Sequence, residues 1–197
     1  MLFRGKVSAE ADKGVNDMIS RQKLVIPTYE MDEAEKAPVF YDVRNHQGTR
    51  GNIYPIPMTD TFKNVKTDRE YDAIRLENEF IRVTVLPQLG GRIYEGYDKK
   101  ADYHFVYKNN VIKPALIGLC GAWISGGIEF NWPQHHRPTT FMPVDSWIEK
   151  GEDGSQTAWM GEYEPLFGMK GMVGVTIWPG KAYVTVKTRL YNPANAM

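Results

Sequence analysis

The stretch Phe80-Ile81-Arg82-Val83-Thr84-Val85-Leu86 shows the clearest alternation of apolar and polar residues in the chain. Its β-branched apolar residues fall on one face of an extended strand, whereas Arg82 and Thr84 fall on the other. The pattern predicts an antiparallel strand with one face in the core. Residues 73–76 are also apolar in pattern, and Glu77-Asn78-Glu79 supplies a turn between the two segments, so we expect a β-hairpin here.

Further strands are predicted on both sides of this hairpin. The segment Leu86-Pro87-Gln88-Leu89 leads from it to Gly90-Gly91, which indicates a sharp turn or a close approach to another backbone segment. Short alternating or β-branched segments predict strands at residues 24–26, 39–41, 92–97, 103–108, 144–149, 157–163, 171–178 and 183–190. No long amphipathic helical pattern is present. Many short strands separated by Gly and Pro turns predict an all-β, antiparallel sandwich or barrel rather than a βαβ fold.

The domain organisation is predicted to be simple. Residues 1–20 mix charge with a weak helical pattern and predict an N-terminal arm, and residues 21–197 predict one β-sandwich domain. Residues 46–64 are rich in Gly, Pro, Asn and Thr and predict a long surface connection anchored by a few apolar side chains. The sequence stops directly after a strand, so we expect the sandwich to be incomplete at its C-terminus.

The composition excludes several function classes. The chain has 197 residues, with 24 basic and 24 acidic side chains, so no net field attracts it to nucleic acid or to an anionic membrane. No apolar run is long enough to span a bilayer and no secretory leader is recognised, which favours the cytoplasm. The single cysteine, Cys120, lies in an apolar stretch and is predicted to be a buried, inert thiol.

The densest group of chemically capable side chains is Gly-Gly-Ile-Glu-Phe-Asn-Trp-Pro-Gln-His-His-Arg at residues 126–137. If residues 128–132 are extended, Glu129 and Asn131 share one face and the apolar side chains share the other. A loop after Pro133 then carries the two histidines and Arg137. Sugar recognition uses this mixture, because hydroxyl groups need fixed donors and acceptors and the C–H faces of sugars stack on aromatic rings.

We therefore predict a sugar site at this segment. The candidate catalytic residues are Glu129, His135 and His136, since a histidine and a carboxylate can exchange protons at a ring or glycosidic oxygen. The candidate substrate-binding residues are Arg92, Trp123, Asn131, Trp132, Arg137 and Glu162. The alternative is a purely structural role, in which Glu129 is a structural carboxylate and the histidines lie in a solvated loop. No cofactor is predicted, and no metal, because adjacent histidines diverge and no third ligand is suitably spaced.

Glu162 and Glu164 lie two residues apart on a predicted strand, so their side chains would share a face. That spacing is compatible with the paired carboxylates of glycoside chemistry, although two solvated edge charges would give the same pattern. Arg92 follows the double glycine and could clamp a polar group of a ligand, whereas an exposed sheet position is the default interpretation.

Four motifs support a family resemblance: Leu-Pro-Gln-Leu-Gly-Gly-Arg-Ile at 86–93, Tyr-Lys-Asn-Asn at 107–110, Ser-Gly-Gly-Ile-Glu-Phe-Asn-Trp-Pro at 125–133 and Arg-Leu-Tyr-Asn-Pro at 189–193. On these, the chain resembles a bacterial family of uncharacterised domains usually found ahead of tetratricopeptide repeats. That family resembles the galactose mutarotase superfamily, whose antiparallel supersandwich binds sugars on a concave face. The resemblance implies this fold, with this chain forming its N-terminal part.

The resemblance also implies activities and partners. Aldose epimerases of the superfamily use a histidine acid and a glutamate base, and the base lies beyond the end of this chain. We therefore expect a carbohydrate-binding domain of an aldose epimerase-like or glycoside-processing enzyme, with a noncatalytic sugar-binding module or a purely structural sandwich as alternatives. A saccharide is the expected ligand, and tetratricopeptide repeats are expected in full-length relatives. The last strand, residues 183–190, would be an exposed edge at which a homodimer could form.

Overall fold

A computed structural model of the protein describes residues 17–37, 53–132 and 136–193. These residues contain no α-helix, and one short 3-10 helix occurs at Pro87–Leu89. The strands are β1 (Ile19–Met31), β2 (Phe62–Glu77), β3 (Ile81–Leu86), β4 (Arg92–Asp98), β5 (Tyr103–Val106), β6 (Pro114–Gly118), β7 (Gly121–Ile124), β8 (Asp145–Lys150), β9 (Gln156–Glu164), β10 (Met169–Ile177) and β11 (Val184–Tyr191).

The strands form three antiparallel sheets. Five strands follow the order β1-β2-β3-β4-β5, four follow the order β11-β10-β9-β8, and β6 pairs with β7 alone. Consecutive strands are neighbours throughout, so each sheet is a meander. The predicted all-β antiparallel class is therefore confirmed, as is the predicted hairpin, in which Glu77 pairs with Arg82 across a turn. The predicted strands downstream of Gly91 correspond to β4, β5 and β8 to β11.

One core lies between the five-stranded and the four-stranded sheets. It contains alternate residues of β2, β3 and β4, such as Ile74, Val83 and Ile93, packed against Met160 of β9 and Val175 of β10. The two sheets therefore stack as a sandwich. This arrangement follows from the period-2 pattern, because each of these strands directs its apolar set to the same side.

A second core covers the opposite face of the five-stranded sheet. Tyr71, Leu86 and Tyr94 pack there against buried residues of the β6–β7 hairpin and against the loop before β2, where Ile53 and Ile56 are buried. The central strands are thus covered on both faces. The prediction of a half-buried β3 understates its burial, since Thr84 on its polar face is also inaccessible to solvent.

The N-terminal half of the structure differs in detail from the sequence prediction. The strand predicted at residues 24–26 is the middle of β1, which begins at Ile19, and the strand predicted at 39–41 lies outside the described residues. The connection predicted at residues 46–64 carries the buried anchors Ile53 and Ile56, and its last three residues belong to β2. Cys120 is buried, as predicted. Among the described residues, no helix has the length and apolar character needed to cross a membrane.

Candidate functional site

The double glycine at residues 126–127 sets the position of the candidate site. Both glycines have positive φ angles, of 88° and 72°. The Gly127 amide donates to the carbonyl of Tyr107, and the amide of Ile128 donates to the carbonyl of Ile93. A Cβ atom on Gly127 would lie 2.1 Å from that Ile93 oxygen, so only glycine allows this close approach. The turn brings the following residues against β4.

The prediction that residues 128–132 form an extended strand is wrong beyond Ile128. Ile128 pairs with Ile93 in an isolated antiparallel bridge, and no strand continues from it. The chain instead turns towards residues 136–140, where the side-chain oxygen of Asn131 accepts a hydrogen bond of 2.7 Å from the Arg137 amide. Pro133, Gln134 and His135 lie outside the described residues, so the candidate catalytic role of His135 stays a prediction.

Glu129 lies at the centre of a hydrogen-bond network. One carboxylate oxygen is 2.9 Å from Nδ1 of His136, and the other accepts a 2.8 Å hydrogen bond from the hydroxyl of Thr140. The guanidinium of Arg92 is 3.7 Å from that second oxygen. The Glu129 side chain is only 15% exposed, so the network is largely shielded from water.

This environment lowers the pKa of Glu129. Burial on its own raises the pKa, because it disfavours the charged form, but hydrogen bonds to His136, Asn131 and Thr140 and the positive charge of Arg92 outweigh that effect. The carboxylate is therefore held ionised. The ionised carboxylate accepts from Nδ1 of His136 and so orients the imidazole.

Arg92 is buried, and the default interpretation of this residue as an exposed sheet arginine is wrong. Its guanidinium donates to the backbone carbonyls of Leu89, Ile124 and Gly126, which belong to three different segments. Burial lowers the pKa of Arg92 to about 10, the charge of Glu129 raises it, and the neighbouring Arg137 lowers it. Arg92 also donates to the hydroxyl of Thr140, and because most of its donors are directed to the backbone, it mainly fixes the walls of the site.

Arg137 is the second buried arginine of the site. Its guanidinium stacks 4.3 Å from the ring centre of Trp132 and donates to the Gly90 carbonyl. Its Nε is 3.1 Å from a carboxylate oxygen of Glu162, which is an ion-pair distance, although the N–H is not directed well enough to count as a hydrogen bond. Glu162 also accepts from the hydroxyl of Thr139. Burial is the main cause that lowers the pKa of Arg137.

His136 forms the partly exposed rim of the site. It has a φ of 49°, which is uncommon for a residue with a side chain and is typical of constrained functional positions. Its ring meets Trp123 edge-on, with ring centres 5.4 Å apart. Glu129 accepts at Nδ1, which favours the tautomer with a proton on that nitrogen. His136 is 28% exposed, so solvent or a ligand can reach the imidazole.

The structure therefore brings together eight of the nine predicted site residues. Arg92, Glu129 and His136 form one connected group, Arg137, Trp132 and Glu162 form a second, Asn131 links the two, and Trp123 flanks His136. The possible carboxylate pair of Glu162 and Glu164 is not formed, because the Glu164 carboxylate is buried and accepts from the amides of Leu166 and Phe167.

Sequence reasoning missed the two threonines of the site. Thr139 and Thr140 are both buried and each donates its hydroxyl to a site carboxylate. The available signal was the pair of consecutive threonines that follows the His136-Arg137-Pro138 motif. The described residues contain no group of three or more His, Cys, Asp or Glu side chains that could hold a metal ion. The arrangement is suited to acid–base chemistry and to binding of polar groups.

Comparison with known proteins identifies a matching family and a solved structure of similar fold. Residues 49–197, well over half of the chain, match a family described as "Domain of unknown function (DUF5107)". The fold is similar to the crystal structure of a TPR-domain containing protein from Parabacteroides distasonis, with a TM-score of 0.79 and 24% identity. That similarity covers 89% of this chain and 29% of the other, so the chain spans less than a third of the related protein. The chain belongs to the DUF5107 family.

Proposed function

We propose that this domain binds a saccharide at the Glu129–His136 site and that it is part of an aldose epimerase-like or glycoside-processing enzyme. The observation that carries the proposal is a partly exposed imidazole oriented by a buried, ionised carboxylate. The Trp123 ring lies beside the imidazole, and Thr140, Asn131 and Arg92 lie beside the carboxylate, which is the mixture of aromatic and polar groups used in sugar binding. The resemblance to galactose mutarotase-like supersandwich proteins supports the same function.

The chemistry follows from the roles of the two side chains. His136 exchanges a proton with a ring or glycosidic oxygen, and the negative charge of Glu129 stabilises the imidazolium that forms. Asn131 and Thr140 keep the carboxylate in place, and Trp123 offers a face on which a sugar ring can stack. We propose that His135, the neighbour of His136, contributes to the same reaction.

A sugar screen with proton NMR tests this proposal. The 197-residue chain is titrated with common mono- and disaccharides, followed by thermal shift and calorimetry, and bound sugars are examined for anomeric exchange or bond cleavage. We expect His136→Ala to lower the rate by about 100-fold or more, which is the usual contribution of a positioned acid or base. Glu129→Gln keeps a similar shape but loses the charge, and we expect a comparable decrease.

His104→Ala is the matched control, because His104 of β5 makes a tilted ring contact with Tyr97 of β4 and lies against no residue of the candidate site. An unchanged rate in His136→Ala would contradict the acid–base role. Saturable binding without turnover at any enzyme concentration would favour a noncatalytic sugar-binding module instead. No saturable binding of any sugar would favour a structural sandwich.

The context of the domain is also a proposal. The related structure is that of a TPR-domain containing protein, and we propose that full-length relatives of this chain likewise place such repeats beside the domain. A cytoplasmic location is consistent with the single buried cysteine. In this setting, the domain would supply a ligand site and the repeats would supply a surface for a protein partner.

A further inference from the structure

A cleft on the face of the five-stranded sheet that also carries Arg92 has a basic lining. Its volume is about 320 Å³ and its walls come from four strands and the segment after β5. The charged side chains in it are Arg75 of β2, Arg82 of β3, Glu95 of β4 and Lys108. Three of these are basic and one is acidic, so the lining carries a formal net charge of +2.

The strand register places these side chains on one face. Arg75 pairs with Thr84, and Thr84 pairs with Glu95, so the three lie in a row across β2, β3 and β4. Arg82 is two residues from Thr84 and therefore points to the same side. Leu86, two residues further along β3, pairs with Arg92, which places the cleft and the Glu129 site on the same face of the sheet.

Glu95 holds two of the basic groups in place. Its carboxylate is 3.0 Å from the ammonium of Lys108 and 3.6 Å from Nε of Arg82, and it accepts a hydrogen bond from Thr84. Burial raises the pKa of Glu95, but the contacts with Lys108, Thr84 and Arg82 lower it further than burial raises it. Arg82 is fixed from its other side by the ring of Tyr97, 4.7 Å away. These groups are ordered before any ligand arrives.

The remaining basic group is not neutralised. Arg75 forms no ion pair or side-chain hydrogen bond within the part of the chain that the structure describes, and its Nε is shielded from solvent without an acceptor. Nε of Arg82 is also shielded and lacks a hydrogen bond. Glu77, which pairs across the strands with Arg82, is itself bound to Lys99. The two terminal nitrogens of Arg75, unlike its Nε, are not shielded, and such a half-buried pair of donors is suited to an oxyanion, which can accept two parallel hydrogen bonds.

We infer that this cleft is a binding site for a small oxyanion group, either a carboxylate or a phosphoryl group, with Arg75 as the principal ligand. Arg82 and Lys108 add positive charge, and the exposed Asn110 and the phenol-bearing ring of Tyr94 line the remaining wall. The cleft is large enough for one monosaccharide carrying the anionic group. The inference stands apart from the proposed function, since it rests on other residues and has its own ligand chemistry.

Isothermal titration at low ionic strength tests the inference with inorganic phosphate, sulfate, glucuronate and neutral glucose. We expect saturable binding of at least one anion, and about tenfold or greater loss of its affinity in Arg75→Met, because a hydrogen bond to a charged group is removed. Arg75→Lys keeps the charge without the fork, so we expect an intermediate affinity. Preference for glucuronate would identify a carboxylate ligand, and preference for phosphate a phosphoryl ligand.

Arg189→Met is the matched control, because Arg189 lies on β11 and stacks on Trp159 of the other sheet. Arg82→Met is a second variant, with thermal unfolding recorded to show that it is folded. The inference is overturned if no anion binds the unmutated chain, or if Arg75→Met binds as well as the control. Failure of the sugar proposal is a separate outcome. It would appear as unchanged binding and turnover of neutral sugars in the Glu129 and His136 variants, whatever the result with anions.

Discussion

The candidate site contains two buried arginine–glutamate ion pairs. Arg92 faces Glu129, and Arg137 faces Glu162, with all four side chains largely removed from water. Removing one partner of such a pair leaves an uncompensated buried charge, which is strongly destabilising. Threonine hydroxyls and backbone carbonyls complete the hydrogen bonding of these groups. The arrangement therefore serves the rigidity of the site as well as its chemistry.

Glu129 gives a prediction about acid stability. Its pKa is lowered in the folded state, so its ionisation stabilises the fold above the unfolded value near 4.5. This contribution is lost as the pH falls through the lower folded pKa. We expect Glu129→Gln to destabilise the chain at neutral pH and the difference from the unmutated chain to shrink at acid pH. Urea unfolding across pH 2–7 measures the free energy of unfolding of both chains and so gives this difference.

Glu33→Gln controls for the general loss of a negative charge, since Glu33 is exposed in the segment after β1. A constant stability difference between Glu129→Gln and the unmutated chain across the whole pH range would contradict the assignment, because it would show that ionisation of Glu129 is unrelated to the effect.

Gly90 gives a second prediction at this scale. It has a φ of 72°, and an added Cβ atom would lie 2.2 Å from the backbone oxygen of Thr140. Gly154 has a similar φ of 78°, but its nearest neighbour would be 3.7 Å away. We expect Gly154→Ala to cost about 1 kcal/mol from the left-handed conformation alone. Gly90→Ala should cost about 1–3 kcal/mol more, because the clash forces a backbone shift.

Denaturant unfolding of both variants measures this difference in free energy. Equal losses would show that the loop carrying Thr140 moves freely away from β4, and would argue against a rigid site. A larger loss in Gly90→Ala should be accompanied by weaker ligand binding, since the Gly90 carbonyl also accepts from Arg137.

Much of the site could be predicted from single residues, and the reasons for the failures are physical. The density of polar and aromatic side chains after Gly127 predicted a segment whose described side chains do lie together in the structure. Strand alternation then misled, because close approach of Gly127 to Ile93 turns the chain out of an extended path. The burial of Arg92 could not be read from its neighbours, since its acceptors include the carbonyls of Ile124 and Gly126, more than thirty residues away.

At the scale of elements, strands with one apolar face were predicted well and others were missed. The first part of β2 is exposed on both faces and pairs only with β1, so it has no apolar alternation to detect. The β6–β7 hairpin was missed for the opposite reason. It is short and rich in Gly, Ala and Leu, and a continuous apolar run does not distinguish a buried hairpin from other core segments.

The edge strand β11 carries a prediction about assembly. It pairs only with β10 in the described residues, and Val186, Leu190 and Tyr191 are exposed along it. We propose that a second copy of the chain covers this edge. Val186→Lys should then shift the sedimentation coefficient from dimer to monomer. Val65→Lys, at an exposed position of β2, should leave it unchanged.

Analytical ultracentrifugation at rising protein concentration measures the oligomeric state of the unmutated chain and of both variants. A clean monomer at high concentration in the unmutated chain would contradict the proposed dimer. A dimer that Val186→Lys leaves intact would place the contact elsewhere on the molecule.

At the scale of the whole molecule, the five-stranded sheet has cores on both faces. Trp132 and Arg137 connect the start of β4 to the four-stranded sheet. Gly90 and Arg92 belong to one side of this junction, and Glu162 and Gly171 belong to the other. The class of the fold followed from strand periodicity and turns. The pairing of the two sheets through buried charges did not, because it depends on contacts between distant segments.

The balance of charge at the site has a consequence for how a ligand would lie. Two arginines and two glutamates cancel formally around Glu129, so a neutral group can enter without leaving a net charge in a medium of low polarity. The cleft at Arg75, on the same face, has an excess of positive charge instead. If both proposed sites bind, a molecule with one neutral and one anionic end would place its anionic end at Arg75 and its neutral end at Glu129.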